Sequence, residues 1–182
     1  IGACPPGVVQ SISDTVLGVD ALVATNQLQI FTDNQRGLFD VGIIGAGQID
    51  RHGNTNSTVV TGDDASYEHP KVRLPGAGGS TDIMTSCGRS IVMMRQQRRA
   101  FTTDLDYRTA PGHLDGNEDR EDAGFRGGGP AAIITDMAVF RFDDEGEMVL
   151  SATHPGVDVD EVRETVQWDL QVAEEVTTTP EP

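Results

Sequence analysis

A glycine-rich loop set between two strand-like runs constrains this chain more than any other stretch. The run Phe39-Asp40-Val41-Gly42-Ile43-Ile44-Gly45-Ala46 leads in. Pro75-Gly76-Ala77-Gly78-Gly79-Ser80-Thr81-Asp82 forms the centre, and Ser90-Ile91-Val92-Met93-Met94 leads out. Continuous apolar runs of this kind read as strands covered on both faces. A glycine turn that follows such a strand and opens a helix points backbone N–H groups outward, where an anion or a reacting carbonyl oxygen can meet them. The frame this predicts is α/β, an open mixed or parallel sheet with flanking helices.

The rest of the chain fills that frame. Residues 8–12 and 15–19 are short and β-rich, and 20–28 have helix-compatible apolar spacing. Residues 33–37 and 50–54 read as turns, 55–61 as an extended arm, and 62–75 as irregular. A short helix is expected over 81–86 and a surface loop over 115–129. Strands are expected over 131–135 and 137–142, with Asp143-Asp144-Glu145-Gly146 turning the chain into a partner strand over 148–152. Asp158 or Asp160 can cap a helix over 161–166.

Composition excludes several function classes. A chain of 182 residues fits one domain. Its net charge is −16, and Lys71 is its only lysine, which argues against a nucleic-acid surface with its basic stripe. No apolar run approaches the roughly 20 residues of a membrane span, and no signal peptide opens the chain. The expected setting is cytoplasmic, with a salt-rich cytoplasm as the sharper version. Cys4 and Cys87 show no pairing or metal spacing and read as reduced thiols. Gly2-Ala3-Cys4-Pro5-Pro6 reads as mid-loop and Thr177-Thr178-Thr179-Pro180-Glu181-Pro182 as a linker, so a longer chain lacking its N-terminal segment here is expected.

Three motifs carry possible chemistry. Gly76-Ala77-Gly78-Gly79 can be a plain turn, a phosphate loop or an oxyanion loop. No Gly-Lys-Ser/Thr ends it, so it is not a P-loop. Gln48, Asp50, Asn54 and Asn56 lie just after a buried strand, where open α/β sheets bind ligands; an Asx-rich turn is the plainer reading. Arg95, Arg98 and Arg99 are either a solvated strand end or a phosphate clamp. His52, His69, His113 and His154 are scattered, with no pair at metal-ligand spacing.

Taken in register, several stretches resemble the β subunit of class I coenzyme A transferases. They are Gly45-Ala46-Gly47-Gln48-Ile49-Asp50, Gly53-Asn54-x-Asn56-Ser57-Thr58, His69-Pro70-Lys71-x-Arg73, Gly76-x-Gly78-Gly79, Ile91-Val92-Met93-Met94 and Arg98-Arg99-x-Phe101. Asp106-Tyr107-x-Thr109-x-Pro111-Gly112 and Ile134-Thr135-Asp136 continue the match, which spans most of the chain. The resemblance implies a fold of the NagB/RpiA/CoA-transferase type and an α-type partner subunit. Coenzyme A would be a substrate rather than a bound cofactor. It implies a ping-pong transfer through a glutamyl-CoA thioester between an acyl-CoA and a dicarboxylic or 3-oxo acid. Gly78 and Gly79 would supply the oxyanion N–H groups, and Arg98 or Arg99 would meet a CoA phosphate. Gln48, Asp50, Asn54, Asn56 and Gly76 complete the expected substrate and CoA site. No metal, nucleic acid or membrane is expected. The family's nucleophile motif, Glu-Ser-Gly or Ser-Glu-Asn-Gly, does not occur, and Glu68 lies in a segment that does not match it. Two rivals share the fold: a CoA-thioester ring-opening hydrolase, whose relatives also carry Gln-Ile-Asp-Arg-His-Gly-Asn but lack the glycine loop, and a scaffold subunit without catalysis.

Overall fold

A computed structural model describes residues 3–9, 11, 14–62 and 66–181. Its contacts divide the chain into two compact units, Ile1–Asp33 and Asn34–Pro182. In the first unit, a 3-10 turn over Thr15–Gly18 replaces the strand expected at 15–19. The cause is local: the Asp14 carboxylate accepts the Val16 N–H at 3.0 Å and closes a turn. Residues 8, 9 and 11 form no strand, and positions 10 and 12 lie outside the described residues. Helix α1 covers Gln27–Gln35, later than the helix expected over 20–28. Asn26 sets its start, because its side-chain oxygen accepts the Gln29 N–H at 2.9 Å as an N-cap does. The helix absorbs most of the expected 33–37 turn and stops at Gly37, whose φ of 77° suits a helix-ending glycine.

The second unit holds, in chain order, β1 (Val41–Ile44), β2 (Gln48–Ile49), β3 (Thr55–Asn56), β4 (Val59–Val60), β5 (Val72–Arg73) and α2 (Ser80–Ser86). Then come β6 (Arg89–Met93), α3 (Asn117–Asp122), β7 (Pro130–Ile134), β8 (Ala138–Phe142), β9 (Met148–Thr153), α4 (Val159–Glu164) and β10 (Gln171–Thr178). Six strands form one mixed sheet in the order β1-β6-β7-β8-β9-β10. β1, β6 and β7 run parallel, β8 is antiparallel to both neighbours, and β10 is parallel to β9. The pairs β2-β3 and β4-β5 are small antiparallel ribbons beside it.

One apolar row crosses five strands in register: Ile44, Val92, Ile133, Phe140 and Leu150. All five are buried. Phe101 lies against this row at 5.6 Å from the Phe140 ring, with Trp168 stacked on it at 6.1 Å. Met84 of α2 and Val162 of α4 join the same cluster. Each fully buried large side chain here contributes roughly 1.5–3 kcal/mol. The opposite face differs from the expectation of strands covered on both sides. Ile43 is 61% and Met93 51% exposed, because α2, α4 and the Phe101–Trp168 packing all lie on one face.

Two further expectations are corrected. The 115–129 stretch holds α3, with a buried Arg120. Thr177 and Thr178, read as linker, belong to β10 and pair with Ala152 and Thr153. Glu174 and Glu175 mask its β pattern, and charged residues are common on edge strands. The 143–146 turn forms as expected, with Asp143 Oδ1 accepting the Glu145 and Glu147 N–H groups at 3.0 and 2.8 Å. Of the two candidate caps for α4, Asp158 is the one used, in a capping box with Glu161.

Candidate functional site

The site begins where β1 ends. The chain leaves Ile44 and returns as the β2-β3 ribbon, closed by the 50–54 turn with Gly53 at φ 70°. The Gly47 N–H donates to the Asn56 carbonyl at 2.8 Å. From Asn56 the chain passes through Ser57 and Thr58 into the β4-β5 ribbon. The strand β5 runs directly into the glycine loop, and backbone bonds fasten that loop to the arm: Leu74 N–H to Thr58 oxygen at 3.0 Å, and Gly76 N–H to Ser57 oxygen at 2.7 Å.

Three loop glycines sit in the left-handed region, Gly76 at φ 100°, Gly78 at 55° and Gly79 at 90°. Side chains rarely adopt such angles, which is why the loop needs glycine here. The loop ends as α2 begins. The Ser80 N–H closes a turn onto the Ala77 oxygen at 2.8 Å, and the Thr81 hydroxyl donates to the Thr109 carbonyl at 2.8 Å. Among the described residues, the N–H groups of Gly78 and Gly79 meet no acceptor, and Gly78 is exposed. The loop therefore presents two backbone donors at a helix start, as a site for developing negative charge requires.

The polar residues after β1 are organised differently from the loop. Gln48 donates to Asp106 Oδ2 at 2.6 Å and accepts from Asn56 Nδ2 at 2.7 Å. Asn56 also donates to the Val59 carbonyl and accepts the Thr58 N–H at 2.9 Å. Burial pushes the Asp106 carboxyl up, but hydrogen bonds from Thr61, Gln48 and Gly62 outweigh it and hold its pKa down at about 2. Thr109 Oγ accepts the Ser57 N–H at 2.9 Å and lies 2.7 Å from the Thr58 hydroxyl. Gln48 and Asn56 thus brace the arm on which the glycine loop rests.

Asp50 and Asn54 form a second buried knot. The Asp50 carboxylate accepts from the backbone of His52 and Asn54 and from the Asn54 amide, at 3.0, 2.9 and 2.8 Å. Burial raises its pKa, against the lowering pull of those bonds. Asn54 Oδ1 accepts the N–H groups of Gly112 and Leu114 at 2.8 and 3.2 Å, tying the turn to the 110–114 segment. Asp50 also lines a polar cavity of about 520 Å³ with His52, Asp104, Arg108 and Asp115; no glycine-loop residue lines it.

The arginines lie elsewhere. Arg98 donates from one guanidinium nitrogen to the carbonyls of Glu164 and Val166, both at 3.0 Å, holding the end of α4. Arg99 donates to Gln97 at 2.8 Å. Among the described residues, no hydrogen bond or ion pair joins Arg98 or Arg99 to the glycine loop. The structure thus brings together Gly76, Gly78, Gly79, Gln48 and Asn56 through the Ser57–Thr58 arm, and places Asp50, Asn54 and the arginines on neighbouring supports. Sequence reasoning gave no site role to Asp106, Thr109 or Arg120. The one available signal for Arg120 was Gly127-Gly128-Gly129, a run that lets backbone approach a buried side chain. Among the described residues no cluster of three His, Cys, Asp or Glu side chains could hold a metal, and no helix is long and apolar enough to cross a membrane.

Comparison with known proteins places this architecture. Residues 12–165 match the Coenzyme A transferase family. The chain is 39% identical over 185 aligned positions to the β subunit of 3-oxoadipate CoA-transferase from Pseudomonas knackmussii, covering all of this chain and 69% of that protein. It is 39% identical over 138 positions to the β subunit of glutaconate CoA-transferase from Acidaminococcus fermentans, covering 75% of this chain and 50% of that protein. The chain thus spans only part of the length of these relatives. The crystal structure of glutaconate coenzyme A-transferase from Acidaminococcus fermentans superposes with a TM-score of 0.85 at 30% identity, over 99% of this chain and 70% of that one. The decarboxylase AibA/AibB shares the fold at a TM-score of 0.80 and 22% identity, over all of this chain and 68% of that one. The matched family, the identity to two β subunits and the shared sheet agree, and the chain belongs to the class I coenzyme A transferases as a member of the β-subunit kind.

Proposed function

We propose that this chain forms the glycine-loop half of a CoA-transferase active site, in a β-type subunit that works with an α-type partner. The observation that carries the reading is the pair of N–H groups, on Gly78 and Gly79, left without an acceptor at the start of α2. In the proposed reaction a glutamate carboxylate from outside these 182 residues attacks the acyl-CoA carbonyl carbon. The C–S bond breaks, CoA leaves as the thiolate, and a mixed anhydride forms. The thiolate then attacks the glutamyl carbonyl, the first acid leaves as its carboxylate, and a glutamyl-CoA thioester remains for the second acid to reverse the sequence. Every addition step puts negative charge on one oxygen, and the two loop N–H groups stabilise it. The names of the relatives, a glutaconate and a 3-oxoadipate CoA-transferase, support a dicarboxylic or 3-oxo acid as substrate.

The test uses the full-length subunit assembled with its partner and given glutaconyl-CoA or 3-oxoadipyl-CoA. Hydroxylamine added before the acceptor acid should convert one glutamate to its hydroxamate, visible by mass spectrometry. An unmodified protein that still transfers CoA would refute the covalent route, and CoA release without acceptor would favour hydrolysis. Gly79→Val should lower kcat by roughly 10²–10³-fold with assembly intact, the usual scale for an impaired oxyanion donor. Equal loss of activity and assembly would make the loop structural only.

A further inference from the structure

Arg120 is 5% exposed, and no carboxylate lies within ion-pair distance of it among the described residues. Its guanidinium donates instead to three backbone carbonyls: Gly112 at 2.6 Å, Met84 at 2.6 Å, and Gly127 twice, at 3.2 and 2.9 Å. The Phe125 ring lies 5.1 Å from its central carbon. Four of its five N–H groups are thus bonded to carbonyls, which offsets the cost of burying the charge and makes the arrangement rigid once built.

The carbonyls it holds explain its place. Met84 lies in the last turn of α2, and its oxygen is one of the carbonyls that a helix end leaves without a partner. The next carbonyl, of Thr85, is met by the Gly127 N–H at 2.9 Å, and Gly127 is itself held by Arg120. A positive group is also favoured at that end of a helix. The third carbonyl, of Gly112, belongs to a residue whose N–H donates to Asn54, so the same guanidinium ties α2 to the knot behind β1. The fit leaves no slack: a Cβ at Gly127 would strike the Cys87 carbonyl, and one at Gly129 would stand 2.9 Å from the Arg120 Nε.

Helix α2 has seven residues, hence a length of about 10 Å, and the glycine loop forms its other end. We propose that Arg120 is the positioning residue of the 76–80 loop: by fixing the C-terminal end of α2 to the 112 and 127 backbones, it sets where the Gly78 and Gly79 N–H groups point. This rests on the oxyanion reading of that loop. Lysine cannot replace the fork, because one ammonium cannot span three carbonyls on three segments.

The decisive variant is Arg120→Lys, in the full-length subunit with its partner. It should assemble, keep the affinity for free CoA, and lose about 30- to 100-fold in kcat with KM changed by less than about threefold, the scale expected when reacting groups are misplaced by an ångström. In Arg120→Ala, guanidinium ion at concentrations too low to unfold the parent should restore at least about tenfold of the lost kcat; methylammonium should not. A parental kcat in Arg120→Lys, an equal loss in CoA affinity, no rescue by guanidinium, or failure of both variants to assemble would each overturn the proposal. Gly79→Val separates the two layers. If it stays active, the oxyanion reading itself fails; if it is inactive while Arg120→Lys is fully active, only the role of Arg120 fails.

Discussion

His113 and Asp106 respond to acid in different pH windows. The His113 ring is buried, 4.7 Å from the Phe142 ring, with Nε2 at 3.1 Å from the Pro130 oxygen. That carbonyl can only accept, so Nε2 carries the proton, and the buried Nδ1 has no partner among the described residues. Burial lowers the His113 pKa, with Arg120 and His52 adding to it. A folded pKa below the unfolded value of about 6.5 means the unfolded chain binds more protons, so stability falls as pH drops below about 6.5. Asp106, held at about 2, gives stability that is complete above its unfolded value of about 3.9 and is lost as pH falls from there to about 2. Urea midpoints measured from pH 7.5 to 3 should decline in both windows. His113→Gln should flatten the upper decline alone, and an unchanged upper slope in that variant would show that His113 is not its source. Asp106→Ala should cost about 1–2 kcal/mol at pH 7, because Gln48 and Thr61 lose their acceptor.

At the scale of elements, the contact between α2 and the sheet decides whether the loop is held in place. Gly42 of β1 lies directly beneath Ile83 and Cys87, where an added Cβ would collide with Ile83 and stand 2.9 Å from the Cys87 sulfur. Gly42→Val should therefore lift α2 and lower stability by about 1–3 kcal/mol, the usual penalty of overpacking. A urea titration that finds the parental midpoint would mean the helix re-seats freely. The sequence made the central parts of this arrangement readable. β1, β6, the loop and the β8-β9 turn are local patterns: β-branched runs, glycines at positive φ, and an Asp-rich turn that bonds its own backbone. What stayed hidden is long-range. An asparagine after a strand looks the same whether it grips a ligand or the 110–114 backbone, as Asn54 does. Arg98 likewise matches a phosphate clamp in sequence, while its nitrogen holds the end of α4, 66 and 68 residues away. The apolar spacing of 20–28 points to a helix from Asp20, whereas Asn26 caps the helix that forms, seven residues later at Gln27.

For the molecule as a whole, charge is the unbalanced quantity. The net charge is −16, and the ion pairs that relieve it lie partly in solvent, such as Arg108–Asp115 at 3.3 Å and Arg51–Glu147 at 3.7 Å. Exposed pairs of this kind contribute little, typically below about 1 kcal/mol. Meanwhile Asp115, Glu118, Asp119, Asp144, Glu145 and Glu147 crowd around one open groove beside His52. Folding brings these carboxylates closer than they lie in the unfolded chain, so repulsion opposes folding and should be screened by salt. The screening length falls from about 10 Å at 0.1 M salt to about 3 Å at 1 M. Raising sodium chloride from about 0.05 to 1 M should raise Tm by about 5 °C, on the scale of 2–4 °C per kcal/mol for a chain of this size. Potassium chloride should act equally, since the effect is screening rather than binding of one ion. A triple variant, Glu118→Gln, Asp144→Asn and Glu147→Gln, should begin at a higher Tm in low salt and show a shallower rise. If the parent Tm stays flat or falls with salt, or if the triple variant rises as steeply as the parent, repulsion in this groove is not what limits the stability of the fold.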